Sequence, residues 1–436
     1  MKKLFFLLFS FVFFNFGAIM NAEEIGLINK IDSGDTAWVL LGAILVLLMT
    51  IPALAIFYGG MVRKKNLLST LAYSLGATIV ASIMWVLFLY STTFGGKELI
   101  GGVIGGFDKM FLDNVQLNGA YGSFTVPEFA FIAFQFTFAA IAVALISGAI
   151  VERMKFSAWM IFSAVWLVLV YSPVAHMVWH PNGFLAQMGV LDFAGGYVVE
   201  IASGISAMVA ALFIGERVRY KKETILPNNI PLVFIGAALL WVGWFGFNAG
   251  SAMKADGIAA NAFMVTNTAG AMGALVWLLI ERFVSGKATV IGGVSGVVAG
   301  MVAITPASGF VDNKAALLIG AVAGVLCYIF VAKVKKRFGY DDSLDVFGIH
   351  GMGGTWGIIA TGLFANPNIN GKAGLFYGNA LQLWIQFKGI LVVYCIVIVG
   401  TLVSLLIVRA FMRLRVEPQE EIYGLDLILH GERASE

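Results

Sequence analysis

The chain has 436 residues, of which 60% are hydrophobic and only 12% charged, and its mean hydropathy is +0.90. Soluble domains carry about 25% charged residues, so most of this length is hidden from water and the chain is an integral membrane protein. A formal net charge of +3 is too small to point to nucleic acid. Cys327 and Cys395 both fall in apolar runs and read as small core residues, not as a disulfide framework or metal site.

The first segment, MKKLFFLLFSFVFFNFGAIMNA, joins two lysines to an apolar stretch and a small residue, Ala22. It reads as a signal peptide over 1–22, with a retained first helix as the alternative. Its removal places the mature N-terminus outside. Eleven apolar segments follow, near 36–59, 67–90, 128–150, 157–178, 192–214, 230–250, 258–280, 288–305, 314–332, 344–364 and 386–410. Each approaches the ~20 residues a helix needs to cross the bilayer, which makes the fold all-α. Starting outside, eleven crossings end in the cytoplasm.

Basic residues test that topology. The loops expected on the inner side, with the start of the tail, hold eighteen, including Arg63, Arg153, Arg217, Arg282, Lys335 and Arg413. The opposite loops hold five: Lys30, Lys97, Lys109, Lys254 and Lys372. This excess supports N-out, C-in. With 51 glycines against 9 prolines, close helix packing is favoured. GGVSGVVAG (292–300) and GAVAG (320–324) space small residues for such packing.

Glu200, in DFAGGYVVEIASG, interrupts an apolar run eight residues after Asp192 opens the fifth helix. At 1.5 Å per residue it lies ~12 Å below the outer boundary. His350, in DVFGIHGMGGTWG, lies ~9 Å above the inner boundary by the same measure. The two therefore share a depth near the midplane, where ionisable residues usually mark a pathway. An interhelical hydrogen bond that serves packing alone is the bland alternative. Two groups without a third or fourth ligand make a poor metal site, and no HExxH or clustered cysteine occurs. If helices 1–5 and 6–10 form two halves, the odd number inverts the second, a transporter plan with its site at the midplane.

The aromatic residues form a second constellation. Phe134 and Phe138 share a face of the third helix, Trp179 ends the fourth, and Trp244, Phe247 and Ser251 follow i, i+3, i+7 on the sixth. An indole face attracts a small cation by ~0.5–2 kcal/mol, a serine oxygen accepts a hydrogen bond, and phenyl rings below obstruct a hydrated ion. Asp192 and Asp345 both read as helix-opening carboxylates that cap free N–H groups. Glu128 opens the third helix and favours that end electrostatically. His176 reads as a structural histidine.

FQFTFAA, ERMKFSAW, SPVAHMVW, DFAGGYVV, WVGWFGFNAGSA, VAITPASG, DVFGIHGMGG and GLDLILHGE occur in order across separate helices. On these blocks the chain resembles the ammonium transporter (Amt/Mep/Rh) family, most closely its bacterial Amt branch. The resemblance implies eleven helices, an inverted fivefold repeat plus a final helix, a homotrimer and one pore within each subunit. It implies an outer ammonium site of Trp179, Phe138 and Ser251 organised by Asp192, and a gate of Phe138 and Phe247 with Phe134 beside them. His350 matches one of the family's twin pore histidines. Glu200 stands where the bacterial pattern has the other, as in some fungal members, so the pair would relay protons differently from two neutral imidazoles.

The expected organisation is a signal peptide (1–22), an ammonium transporter transmembrane domain (23–411) and a cytoplasmic tail (412–436) in a bacterial inner (plasma) membrane. Alone, RVEPQEEIYGLDLILHGERASE reads as a solvated tail. The resemblance implies regulation there and capping by a trimeric PII signalling protein. Expected function is ammonium transport: NH4+ binds outside, is deprotonated, and NH3 crosses a hydrophobic pore past Glu200 and His350. The alternative is an ammonium sensor that transports little. A passive pore for another small neutral gas is a further reading. No nucleophile–base or metal constellation supports an enzyme, and no cofactor is expected.

Overall fold

The computed structural model describes residues 31–434, and the expected signal peptide (1–22) lies outside the described residues. In chain order the apolar helices are α1 (Ser33–Met61), α2 (Lys64–Phe94), α3 (Glu128–Ile150), α4 (Phe156–Met188), α5 (Gly196–Ile214), α6 (Ile230–Gly250), α7 (Gly257–Ser285), α8 (Val290–Ile304), α9 (Asn313–Phe338), α10 (Phe347–Gly351 running into Met352–Phe364) and α11 (Ala380–Phe411). Nine of these, all but α8 and α10, are long and apolar enough to cross a membrane. α4 is interrupted at 180–183.

Side chains at the helix starts satisfy amides that the helix itself cannot pair. Asn229 accepts from Leu232 N at the start of α6, Asp256 from Ile258 N and Ala259 N at α7, Thr289 from Gly292 N at α8 and Asp312 from Ala315 N at α9. The α2–α3 connection carries a small antiparallel hairpin of β1 (Glu98–Ile100) and β2 (Ile104–Gly105).

α3 is the centre of the bundle, packed against α1, α2 and α5. Buried residues make up 83% of its most apolar stretch, against 33% for α7 and α11. Those two present uncovered Leu275, Leu279, Ile398 and Val399, as lipid contact allows. Gly296 and Gly300 of α8 press against Gly273 and Ala269 of α7, while Gly320 and Gly324 of α9 meet the same two residues. The small-residue blocks are packing seams.

A buried ionic cluster ties the loops at the tail end. Glu152, after α3, pairs with Arg63 at 2.9 Å and with Arg217 at 2.9 Å; Arg217 also pairs with Asp341 at 2.7 Å. Arg153 reaches Asp341 O at 2.6 Å and Ser343 Oγ at 2.7 Å. Burial pushes the Glu152 and Asp341 carboxyls up, but the neighbouring guanidinium groups, Arg217 foremost, outweigh it and hold both below the usual carboxylate range.

The described part of the tail is docked, not solvated. Its helix α12 (Pro418–Tyr423) buries Glu421, which accepts from Val218 N at 2.6 Å and pairs with Arg415 at 2.7 Å. Asp426 then accepts from Leu68 N at 3.0 Å and Ser69 N at 2.8 Å, capping the first turns of α2. Tail carboxylates that find orphan amides have no reason to stay in water.

Candidate functional site

α5 and α10 begin by the same device. The Asp192 carboxylate accepts from the amides of Gly195 at 2.8 Å, Gly196 at 2.6 Å and Tyr197 at 2.8 Å. Asp342 Oδ2 accepts from Phe347 N at 2.8 Å. The helices therefore start at Gly196 and Phe347, a few residues later than Asp192 and 344, because the preceding residues form the capping loops. The expected cap, Asp345, is corrected. It has a φ of +64° and is drawn away by Lys335 Nζ at 2.6 Å, leaving Asp342 to cap α10.

Glu200 stands eight residues after Asp192, and His350 eight residues after Asp342. The two side chains meet: His350 Nδ1 lies 2.7 Å from Glu200 Oε2, with the side chains 7% and 1% exposed. Glycine permits the approach. Gly204 of α5 lies against the backbone of Gly351 of α10, and a Cβ on Gly354 would stand 2.6 Å from Glu200 Cβ. A side chain at either glycine would force the helices apart.

Two cavities flank the aromatic residues. The vestibule, about 240 Å³, is lined by Phe138, Trp179 and Ser251, together with Tyr121, Gln135 and Phe193. A narrow lumen of about 10 Å³ is lined by Phe247, Trp244, Leu145, Val199, Glu200 and His350. That volume is about one water-sized sphere, too little for a hydrated ion. Phe138 and Phe247 form the partition, with centroids 4.4 Å apart at 34°, one ring on each side. Phe138 and Trp179 meet edge to face, with centroids 5.7 Å apart at 85°. Phe134 packs 4.9 Å behind Phe138 and against Gly250, lining neither cavity.

Hydrogen bonds fix these groups. Trp179 Nε1–H donates to Asp192 O at 3.2 Å, so Asp192 reaches the vestibule through its peptide carbonyl and lines neither cavity. The Ser251 hydroxyl donates to Phe247 O at 2.8 Å, which leaves its oxygen lone pairs for an incoming donor. Trp244 Nε1–H donates to Thr305 Oγ1 at 2.9 Å.

Several lining residues were not singled out from the sequence. Gln135 sits inside the quoted FQFTF block, and its Oε1 has no protein partner while the residue lines the vestibule. Tyr121 comes from the irregular α2–α3 connection, where no periodicity marks it. Glu128 does more than favour its helix end, since Tyr90 Oη donates to it at 2.5 Å and Lys109 pairs with it. His176 Nδ1–H donates to Thr93 O at 2.9 Å, and the residue lines neither cavity.

The model of the Ammonium Transporter Family matches residues 37–435. The chain belongs to that family. Over 403 residues it is 48% identical to the ammonium transporter of Bacillus subtilis (strain 168), an alignment spanning 92% of this chain and 98% of that protein. The crystal structure of Saccharomyces cerevisiae Mep2 superposes with a TM-score of 0.84 at 34% identity, covering 90% of this chain and 92% of that one. A sensor Amt protein superposes at 0.83 with 28% identity, covering 91% and 98%. Membership agrees with the resemblance carried by the ordered sequence blocks. The paired cavities, the ring partition and the Glu200–His350 contact are therefore features of an ammonium transporter family chain.

Proposed function

We propose that this chain transports ammonium across the membrane by recruiting NH4+ in the vestibule, deprotonating it, and passing NH3 through the lumen. The observation that carries this reading is the Glu200–His350 contact, 2.7 Å long, inside a lumen too narrow for a hydrated ion. In the vestibule the Trp179 ring attracts the cation by ~0.5–2 kcal/mol. Ser251 Oγ and the unpartnered Gln135 Oε1 accept its N–H groups, and Asp192 holds the indole in place through its carbonyl. Phe138 and Phe247 act as the gate, with Phe134 as their support.

An ammonium ion cannot take its water shell past the partition, so its charge must be left behind. Glu200 and His350 are the groups in the lumen that exchange protons, and we assign them the relay. Glu200 takes the place of the first twin histidine. The paired caps support an inverted repeat of α1–α5 and α6–α10, because Asp192 and Asp342 stand at equal spacings from Glu200 and His350. On this reading all eleven helices cross the membrane, α11 last, with the vestibule outside and the tail in the cytoplasm. The 48% identity with a bacterial relative, against 34% with the yeast structure, favours the bacterial branch and a bacterial inner membrane. A homotrimer with one pore per subunit, and a PII signalling protein at the docked tail, complete the proposal.

A sensor with little transport is the second reading, favoured by the likeness to the sensor Amt protein at a TM-score of 0.83. An ammonium pulse on proteoliposomes holding the purified chain separates the two. Transport yields a protein-dependent current, or a rise of internal pH faster than that of protein-free vesicles, into which NH3 also diffuses through the lipid. A sensor yields neither.

A further inference from the structure

Beside the vestibule, and apart from it, Glu98, His176 and His180 converge so that one ligand atom from each lies within 4.8 Å of the others. We propose that this cluster binds a first-row divalent cation of the zinc class, pinning the β1–β2 hairpin to α4 at its interruption.

Three observations carry the assignment. His176 is fully buried, and its Nδ1 lies 2.9 Å from Thr93 O. A carbonyl only accepts, so Nδ1 carries the proton and the lone pair sits on Nε2. An N–H held by a carbonyl is the arrangement that orients a metal-binding imidazole. That Nε2 has no protein partner. Glu98 is held in the same fashion: Oε2 accepts from Gly102 N at 2.9 Å, while Oε1 is buried without a partner.

The distance between these two atoms is the second point. His176 Nε2 and Glu98 Oε1 lie 3.7 Å apart, too far for a hydrogen bond. Two ligands ~2.0–2.1 Å from a tetrahedral zinc ion are separated by about 3.4 Å. The gap therefore suits a shared ion better than a shared proton. Third, His180 lies four residues on from His176 with a ring nitrogen within 4.8 Å of both other ligand atoms; its ring now stacks on that of His176, at 4.4 Å and 12°, and must turn to aim its in-plane lone pair at a shared ion. Its Nδ1 accepts a long contact from Asn182 N at 3.3 Å, which ligation through that atom would exchange for the ion. Two imidazoles and one carboxylate with an open fourth position are a zinc-type donor set, whereas magnesium prefers oxygen.

Sequence alone reads His176 as structural because Glu98, at the start of β1, lies far from it along the chain. Binding here would brace the residues next to Trp179 and Pro181, which line the vestibule.

The test uses the full chain without a histidine tag, purified in detergent, freed of metal and titrated with zinc chloride by calorimetry. Metal content is measured after dialysis, and cobalt(II) visible spectra report the coordination. We expect one zinc per chain, a tetrahedral cobalt spectrum, and a rise in Tm with zinc but not with magnesium. Glu98→Gln and His180→Ala should each weaken zinc at least about 10-fold. His176→Ala is avoided because it also breaks the contact with Thr93. Loss of zinc affinity in variants that keep the parent's elution profile supports the site. Equal zinc binding by the Glu98→Gln/His180→Ala double variant, or none by the parent, overturns it.

Discussion

Replacing Glu200 by Gln removes a transferable proton from the lumen while nearly preserving its shape. Among the described residues lining the lumen, Glu200 is the only carboxylate, and it is 1% exposed. The amide can keep a hydrogen bond to His350 across the 2.7 Å gap. A neutral bond is about half as strong as a charge-assisted one, a loss on the order of 1 kcal/mol against a total stability of about 5–15 kcal/mol. The variant should fold. Removing a positioned acid–base group costs about 10²–10⁴-fold in a proton-transfer step, so the ammonium-evoked current should drop at least about 100-fold. Internal alkalinisation from NH3 entry should persist, because the lumen is unchanged in size. Proteoliposomes matched for protein density, with current and internal pH read together, make the measurement. A current equal to that of the parent would refute a relay through Glu200. Loss of both signals in a folded variant would show that the carboxylate serves the pore's shape and not its proton.

Trp179→Leu should raise the apparent KM for ammonium by about 2- to 30-fold, the equivalent of ~0.5–2 kcal/mol of cation–π attraction, with little change in maximal rate; uptake against concentration checks this. Gly354→Val should abolish transport and lower Tm, since even its Cβ would stand 2.6 Å from Glu200 Cβ and overpacking costs about 1–3 kcal/mol; normal uptake would contradict the tight α5–α10 crossing. Arg217→Met removes the guanidinium shared by Glu152 and Asp341, leaving Glu152 with Arg63 and Asp341 with the more distant Arg153, and should lower thermal stability at neutral pH by up to about 3 kcal/mol. The parent's folded carboxyl pKa values are depressed there, so this stability is present above the ordinary carboxylate range and is lost as pH falls through the depressed values. The variant keeps only the part of that acid-sensitive component owed to Arg63 and Arg153, and a Tm-versus-pH series with the same slope as the parent would refute the assignment to Arg217.

What was legible in the sequence follows from which forces act locally. Apolar runs of bilayer length marked the helices, because lipid leaves the backbone few alternatives. The aromatic positions, too, could be grouped by helix end, and the structure brings Phe138, Trp179 and Ser251 to one cavity. What stayed hidden depends on distant partners. Asp345 looked like a cap because it lies close to its helix, and only the position of Lys335 shows why Asp342 does that work. Glu152 and Arg153 were visible inside ERMKFSAW, yet nothing in that block says that Arg63, Arg217 and Asp341 converge on them. The tail read as solvated because amphipathic capping by Glu421 and Asp426 leaves no apolar signature.

One signal was present and unused. Asp192 and Asp342 each precede their intramembrane ionisable residue by eight positions, and each of those residues precedes a glycine by four, Gly204 and Gly354. Each cap holds the start of its helix, at Gly196 and Phe347, so that Glu200 and His350 both stand within about one turn of it. Glycine one turn further lets the helices cross closely enough for a 2.7 Å contact. The pairing of Glu200 with His350 is thus a consequence of two repeated local motifs, even though the residues themselves differ. That difference is the informative part: the two motifs share a capping aspartate and a glycine spacing but not the titratable group, so the geometry that brings the two side chains together does not dictate which ionisable pair fills it.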